Sequence, residues 1–186
     1  MFYSKIKSKV RLDSQRQIRK LKKMGNLQYL IATSETDKFR ITKKMIEQKS
    51  RRYNDTAVKN LFDNRLNNDF FLNLSKSKFV HISALVLDNN IIATHLGLQN
   101  NGTYYYLMPT FETGEWKKFS SSRILLEFLI KQSIDNKDEV FDLSLGERRA
   151  MLRGLETLVS AKNSENLEEQ INYKGIPEMR ASSTIG

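Results

Sequence analysis

Between residues 79 and 111 the chain falls into three runs of period two: "FVHISALVLD" (79–88), "IIATHLGLQ" (91–99) and "TYYYLMPTF" (103–111). A period of two is the mark of a strand, because successive side chains point to opposite faces of a sheet. The connectors are "DNN" and "NNG". Asn and Gly tolerate the left-handed backbone that tight hairpin turns require. The three runs therefore predict an antiparallel three-strand meander, and the rest of the chain must pack on it.

On either side of the meander the period is helical. "SQRQIRKLKK" (14–23) predicts a helix with a thin apolar stripe, Ile18 and Leu21, stopped at Met24-Gly25-Asn26. "LQYLIAT" (27–33) predicts a strand. Residues 34–53 predict a helix with Phe39, Thr42, Met45, Ile46 and Lys49 on one side and a cap at Ser34 or Thr36. "NNDFFLNLSKS" (67–77) predicts a short helix on Phe70, Phe71 and Leu74. After the meander, "SSRILLEFLIKQSIDN" (121–136) is the clearest amphipathic segment, with Ile124, Leu125, Phe128, Leu129 and Ile134 on its buried side. "EVFDLSLG" (139–146) predicts a last strand. Residues 147–163 allow a further helix, and the polar end is expected to add little to stability.

Charge divides the chain unevenly. Residues 1–25 hold nine Lys or Arg and one acid, Asp13, so most of the net charge of +10 sits there. This predicts three parts: a basic helical arm (1–25), dispensable for folding; a main domain (26–160); and a polar tail (161–186). Such an arm (residues 5–23) suits nucleic acid or an anionic surface; a solvated helix face is the plainer alternative. There are no cysteines and only two histidines, so thiolate chemistry, disulfides and a metal constellation are not expected. No apolar run reaches the roughly 18 residues of a membrane span, and the N-terminus has no apolar signal core, which suits a cytoplasmic protein.

Few residues offer themselves for chemistry. Strict alternation puts Ala93, His95 and Gly97 on one face, so His95 has small neighbours and room above it. It reads either as a cleft-wall acid–base residue or as a hydrogen-bonded structural one. His81 is a weaker candidate. Asp142 could orient an amine, act as a base or pair with a buried cation. Tyr104 and Tyr106 share a face; the phenol of Tyr106 could protonate a leaving group, or simply pack.

The order of elements, with "SKVRLDSQRQIRKLKKMG", "ALVLDNNIIATHLGLQNNGTYYYLMPTF", "WKKFSSSRILLEFLI" and "VFDLSLGE", resembles the Gcn5-related N-acetyltransferase superfamily over about residues 8–147. More narrowly it is similar to the CelD-like or BioF2-like acetyltransferases, a branch related to the peptidoglycan-bridge aminoacyltransferases. The chain looks like the C-terminal half of such a protein with an altered end. Ser121-Ser122 stand where the family usually has Pro-Gly, and Arg148-Arg149-Ala150-Met151 replace its usual Tyr-Lys continuation.

The resemblance implies an α+β fold of layered α/β/α type, the acyl-CoA N-acyltransferase fold, with a mixed, mostly antiparallel central sheet. It implies acetyl-CoA or another acyl-CoA as co-substrate, an amine of a sugar, amino acid or peptide as acceptor, and compatibility with a homodimer. It places the pantetheine arm where the central strands part and the pyrophosphate at the start of the helix from Ser121. There the backbone N–H groups and helix dipole favour an anion. Lys118, Ser120, Ser121, Ser122 and Arg123 are the expected ligands, with Lys117 nearby. The alternative for this turn is an ordinary cap by Ser121 or Ser122. Two other readings stand beside the acyltransferase: a tRNA-binding module built on the basic arm, and an inactive truncated remnant.

Overall fold

The computed structural model describes residues 8–143. The expected helix within 147–163, the polar tail and the end of the 139–146 strand lie outside the described residues.

The meander forms as predicted, as β2 (Val80–Leu87), β3 (Asn90–Asn100) and β4 (Thr103–Phe111). At the β3–β4 turn Asn101 has φ 47° and Gly102 φ 72°. Two successive positive φ values suit a tight hairpin. β1 (Leu27–Ile31) adds antiparallel to β2, and β5 (Val140–Asp142) adds parallel to β4. The result is one five-stranded sheet in chain order, mixed and mostly antiparallel.

Helices cover both faces. On one side lie α1 (Ser8–Met24) and α4 (Ser121–Asp135), packed around Leu85, Ile92, Tyr104, Tyr106 and Phe141. On the other lie α2 (Glu35–Asp55) and α3 (Arg65–Leu74), packed around Ile82, Ala84, Val86 and Leu96. The expected α/β/α layering is therefore present. Because both faces are covered, every residue of β2 is buried, and alternation along it only decides which helical layer a side chain meets.

Ser34 caps α2 as expected, accepting a hydrogen bond from the Asp37 amide at 3.1 Å. The buried side of α2 is Ile41, Thr42, Met45 and Gln48, while Phe39 is half exposed, so the face is turned from the expected one. Gln48 explains the turn. Fully buried, it donates to the Ile91 carbonyl at 3.1 Å and accepts from Thr94 Oγ1 at 2.9 Å. A satisfied polar group replaces an apolar one as the helix's anchor on β3. On α3, Phe71 and Leu74 pack inward as expected, but Phe70 is exposed.

α1 is not a loose arm. It begins six residues earlier than its apolar pattern indicated. Ser14, Gln17 and Leu21 form a buried stripe, and Leu21 is completely buried in the core shared with α4. This packing runs against the expectation that the segment is dispensable.

Candidate active site

β4 pairs with β5 in parallel. The pairing joins Thr103 to Val140, Tyr104 to Phe141 and Tyr105 to Asp142. Leu143 is no longer in strand geometry. This pairing is described as far as Tyr105.

Just beyond it, β4 carries a bulge. Gly97 of β3 pairs with Tyr106, but Leu96 pairs with Met108, which leaves Leu107 as the extra residue. A bulge breaks the ladder and reverses the parity of the strand. Tyr104 and Tyr106 accordingly face the α4 layer, whereas Met108 joins the α2 layer. β4 thus has a local backbone disruption at Leu107.

α4 starts near by. A 3-10 helix, Gly114–Phe119, leads into Ser120, which adopts a left-handed backbone (φ 53°, ψ 41°) and makes no side-chain cap bond. The serine turn is therefore not the ordinary cap that was its plainer reading. A non-glycine residue in this conformation is strained by about 1–3 kcal/mol and persists only where its surroundings impose it. The Arg123 and Ile124 amides donate to the Ser120 carbonyl at 3.0 and 3.1 Å, and the Ser120 hydroxyl caps neither of the amides before them, Ser121 and Ser122.

The candidate ligands around this turn separate. Ser121 is buried, and its hydroxyl donates to the Ile92 carbonyl of β3 at 3.1 Å, so it faces the sheet. Ser122 is partly exposed and lies beside the Tyr106 phenol. Arg123 turns away to ion-pair with Asp13 of α1. The expectation that it lies free beside an anion is not met, because α1 supplies a carboxylate that the local sequence does not reveal. Lys118 is exposed, with its ammonium 5.1 Å from the Phe119 ring centroid.

His95 does not line an open cleft. It is 1% exposed, stacked on Tyr106 with centroids 4.5 Å apart and planes 8° apart. The room over Gly97 is occupied by His95 itself: a Cβ at Gly97 would lie 2.6 Å from His95 Cε1 and 2.5 Å from the Tyr105 carbonyl oxygen. Burial holds the imidazole neutral, its pKa well below the ordinary value, with smaller contributions from His81 and Lys49.

Two further residues complete this group. The Tyr104 hydroxyl lies 2.8 Å from His81 Nδ1 and 3.3 Å from His95 Nδ1. A hydroxyl can donate to one ring nitrogen and accept from the other. Tyr104 in turn stacks on Phe141, centroids 5.0 Å apart. His81 pairs with Gly97 across the hairpin only because the β2–β3 register shifts between Leu85 and Val86. Burial raises the Tyr106 phenol well above its usual range, with Ser122 opposing. Both phenols thus stay protonated. Asp142 is partly buried at the last β4–β5 pair.

Among the described residues no group of His, Cys, Asp or Glu is arranged to hold a metal ion, and no helix is long and apolar enough to cross a membrane. A search of curated proteins finds no match. The family described as acetyltransferase (GNAT) domain matches residues 8–150. That span runs from the start of α1 past β5, and so contains the bulged strand and the uncapped helix start. The chain belongs to the GNAT acetyltransferase domain family.

Proposed function

We propose that this chain is an acyl-CoA-dependent N-acyltransferase of the CelD-like branch, moving an acetyl or other acyl group to an amine of a sugar, amino acid or peptide. One observation carries the proposal: β4 is bulged at Leu107, on the strand that leads into the uncapped start of α4. An acyl-CoA is an extended chain ending in phosphates. A bulge, where the ladder is broken, suits the amides of the pantetheine arm, and a helix start suits the pyrophosphate.

Roles follow from placement. The amides of Ser121 and Ser122, the Ser122 hydroxyl and the Lys117 and Lys118 ammonium groups would receive the phosphates. Asp142 would hold the attacking amine and take its proton as the nitrogen–carbon bond forms. As the carbon–sulfur bond breaks, the Tyr106 phenol would give its proton to the sulfur. His95 acts as a positioning residue: its ring stacks on Tyr106, and the Tyr104 hydroxyl holds His95.

The test is thiol release from acetyl-CoA with amino sugars, amino acids and short peptides as acceptors. The wild type should release thiol with at least one acceptor class. Asp142→Asn should lower kcat by roughly 10²–10⁴-fold, the usual worth of a positioned base. No release above background with any class would remove the proposal.

A further inference from the structure

A second cleft lies at the opposite end of the sheet from the start of α4. It is formed where β1 ends, β2 begins and the β3–β4 hairpin turns, and has a volume of about 590 Å³. That is enough for a small molecule. β4 runs from this end to the other, and its nine residues at about 3.3 Å each put roughly 25 Å between the two places.

Its polar lining mixes both signs of charge. Lys38, Lys78, His81, Gln99, Asn101 and Asp138 all face it. Lys38 gives one hydrogen bond to the Ser77 carbonyl at 3.3 Å, which leaves two of an ammonium's three donors. Asp138 receives Gln99 Nε2 on its two oxygens at 2.8 and 3.1 Å, and a carboxylate has room for more donors. His81 lies between these charges: Asp138 favours its protonated form and Lys38 opposes it. His81 is 8% exposed, and the Gln132 side chain of α4 also favours its protonated form. Phe79, 46% exposed, adds an apolar wall.

We propose that this cleft binds a small zwitterion, an α-amino acid or the end of a short peptide, separate from the proposed acyl-CoA site. The carboxylate goes to Lys38 and Lys78, the ammonium to Asp138, and the side chain against Phe79. A plain anion would be opposed by Asp138, and a plain cation by the two lysines. Only a molecule carrying both charges satisfies the whole lining.

The chain has two histidines, so imidazole nitrogen–proton correlation spectra of the full chain are simple, and His81→Gln assigns them. Glycine, L-alanine, L-leucine and glycylglycine are titrated separately to about 100 mM, which saturates even a Kd near 10 mM. At least one should shift the His81 signal saturably, and at least tenfold more tightly than acetate or butylamine. Lys38→Gln/Lys78→Gln and, independently, Asp138→Asn should each weaken that binding about tenfold while leaving acetyl-CoA affinity and the melting temperature near wild type. No saturable shift with any of the four, equal effects of acetate and butylamine, or wild-type affinity in both variants would overturn the proposal. Because binding is read without acyl-CoA, its failure is distinguishable from failure of the acyltransferase assignment.

Discussion

Arg123, in the first turn of α4, is ion-paired with Asp13 of α1, 110 residues earlier in the chain. One turn further along, the buried Glu127 accepts a hydrogen bond from Ser14. The helix start proposed to hold phosphate is thus locked to the N-terminal helix by two polar contacts, and Arg123 belongs to that lock.

Arg123→Ala should therefore act on stability. Both partners keep about a third of their side-chain surface in water, so screening limits the pair to about 1 kcal/mol or less. The Arg123 hydrogen bond is the largest influence holding the Asp13 carboxyl below its usual pKa. A depressed folded-state pKa gives stability that is present above the unfolded value, near 4, and lost as pH falls through the folded value. Thermal melts should show a drop of a few degrees for the variant near neutrality, narrowing below pH 4. A variant that melts like wild type at pH 7 would mean the pair is idle.

α1 should prove integral to the fold. Leu21→Ala removes a completely buried side chain and should cost about 2–5 kcal/mol. Deletion of residues 1–24 should cost at least as much. Urea unfolding is the measurement; a deletion that unfolds cooperatively at the wild-type midpoint would restore the view of this segment as a detachable arm.

Gly97→Ala should destabilise the meander at its centre. The added carbon meets both the Tyr105 carbonyl and the His95 ring inside 2.7 Å, and overpacking of this kind typically costs about 1–3 kcal/mol. Its near-ultraviolet tyrosine signal should change as well, because His95 stacks on Tyr106. An unchanged melt and spectrum would mean that His95 has space to move.

Mild acid should weaken the fold through the same cluster. Burial lowers the His81 pKa to about 4, and lowers His95 further below its ordinary 6.5. The unfolded chain then binds more protons between about pH 6.5 and 4. Stability is full above that window and falls through it as pH drops, by up to about 1.4 kcal/mol per pH unit for each histidine. Glu127, whose carboxyl is raised by burial, works weakly the other way. Urea midpoints at pH 7.5 and 5 test this; equal midpoints would mean the rings accept protons in the folded state.

Much of this architecture was legible because it rests on local rules. Period two and the Asn/Gly turns located the meander, and the β4 bounds agree with the run 103–111. Ser34 capped where a hydroxyl precedes a periodic segment. What escaped depended on distant partners. α4 is buried on nearly every side, including at Leu126, Glu127 and Ile130, because α1 covers the side that periodicity assigns to solvent. Gly25 follows α1 as expected, yet its small size serves the Asp88 carboxylate, which would lie 2.1 Å from a Cβ there. The bulge at Leu107 has only Pro109, two residues on, as its mark in the sequence, and that residue alone gives neither the parity reversal along β4 nor the stacking of His95 on Tyr106.

The central claim is that an acyl-CoA sits with its phosphates at the start of α4, and calorimetric titration of acetyl-CoA into wild type, Ser122→Glu and Arg123→Ala tests it most directly. Ser122→Glu puts a carboxylate beside the proposed phosphate position while leaving the helix favourable, since an acid near a helix N-terminus is locally stabilising. The wild type should bind, Ser122→Glu should lose about tenfold or more in affinity, roughly 1.4 kcal/mol, and Arg123→Ala should stay close to wild type. No binding to the wild type, or one affinity shared by all three, would contradict the account.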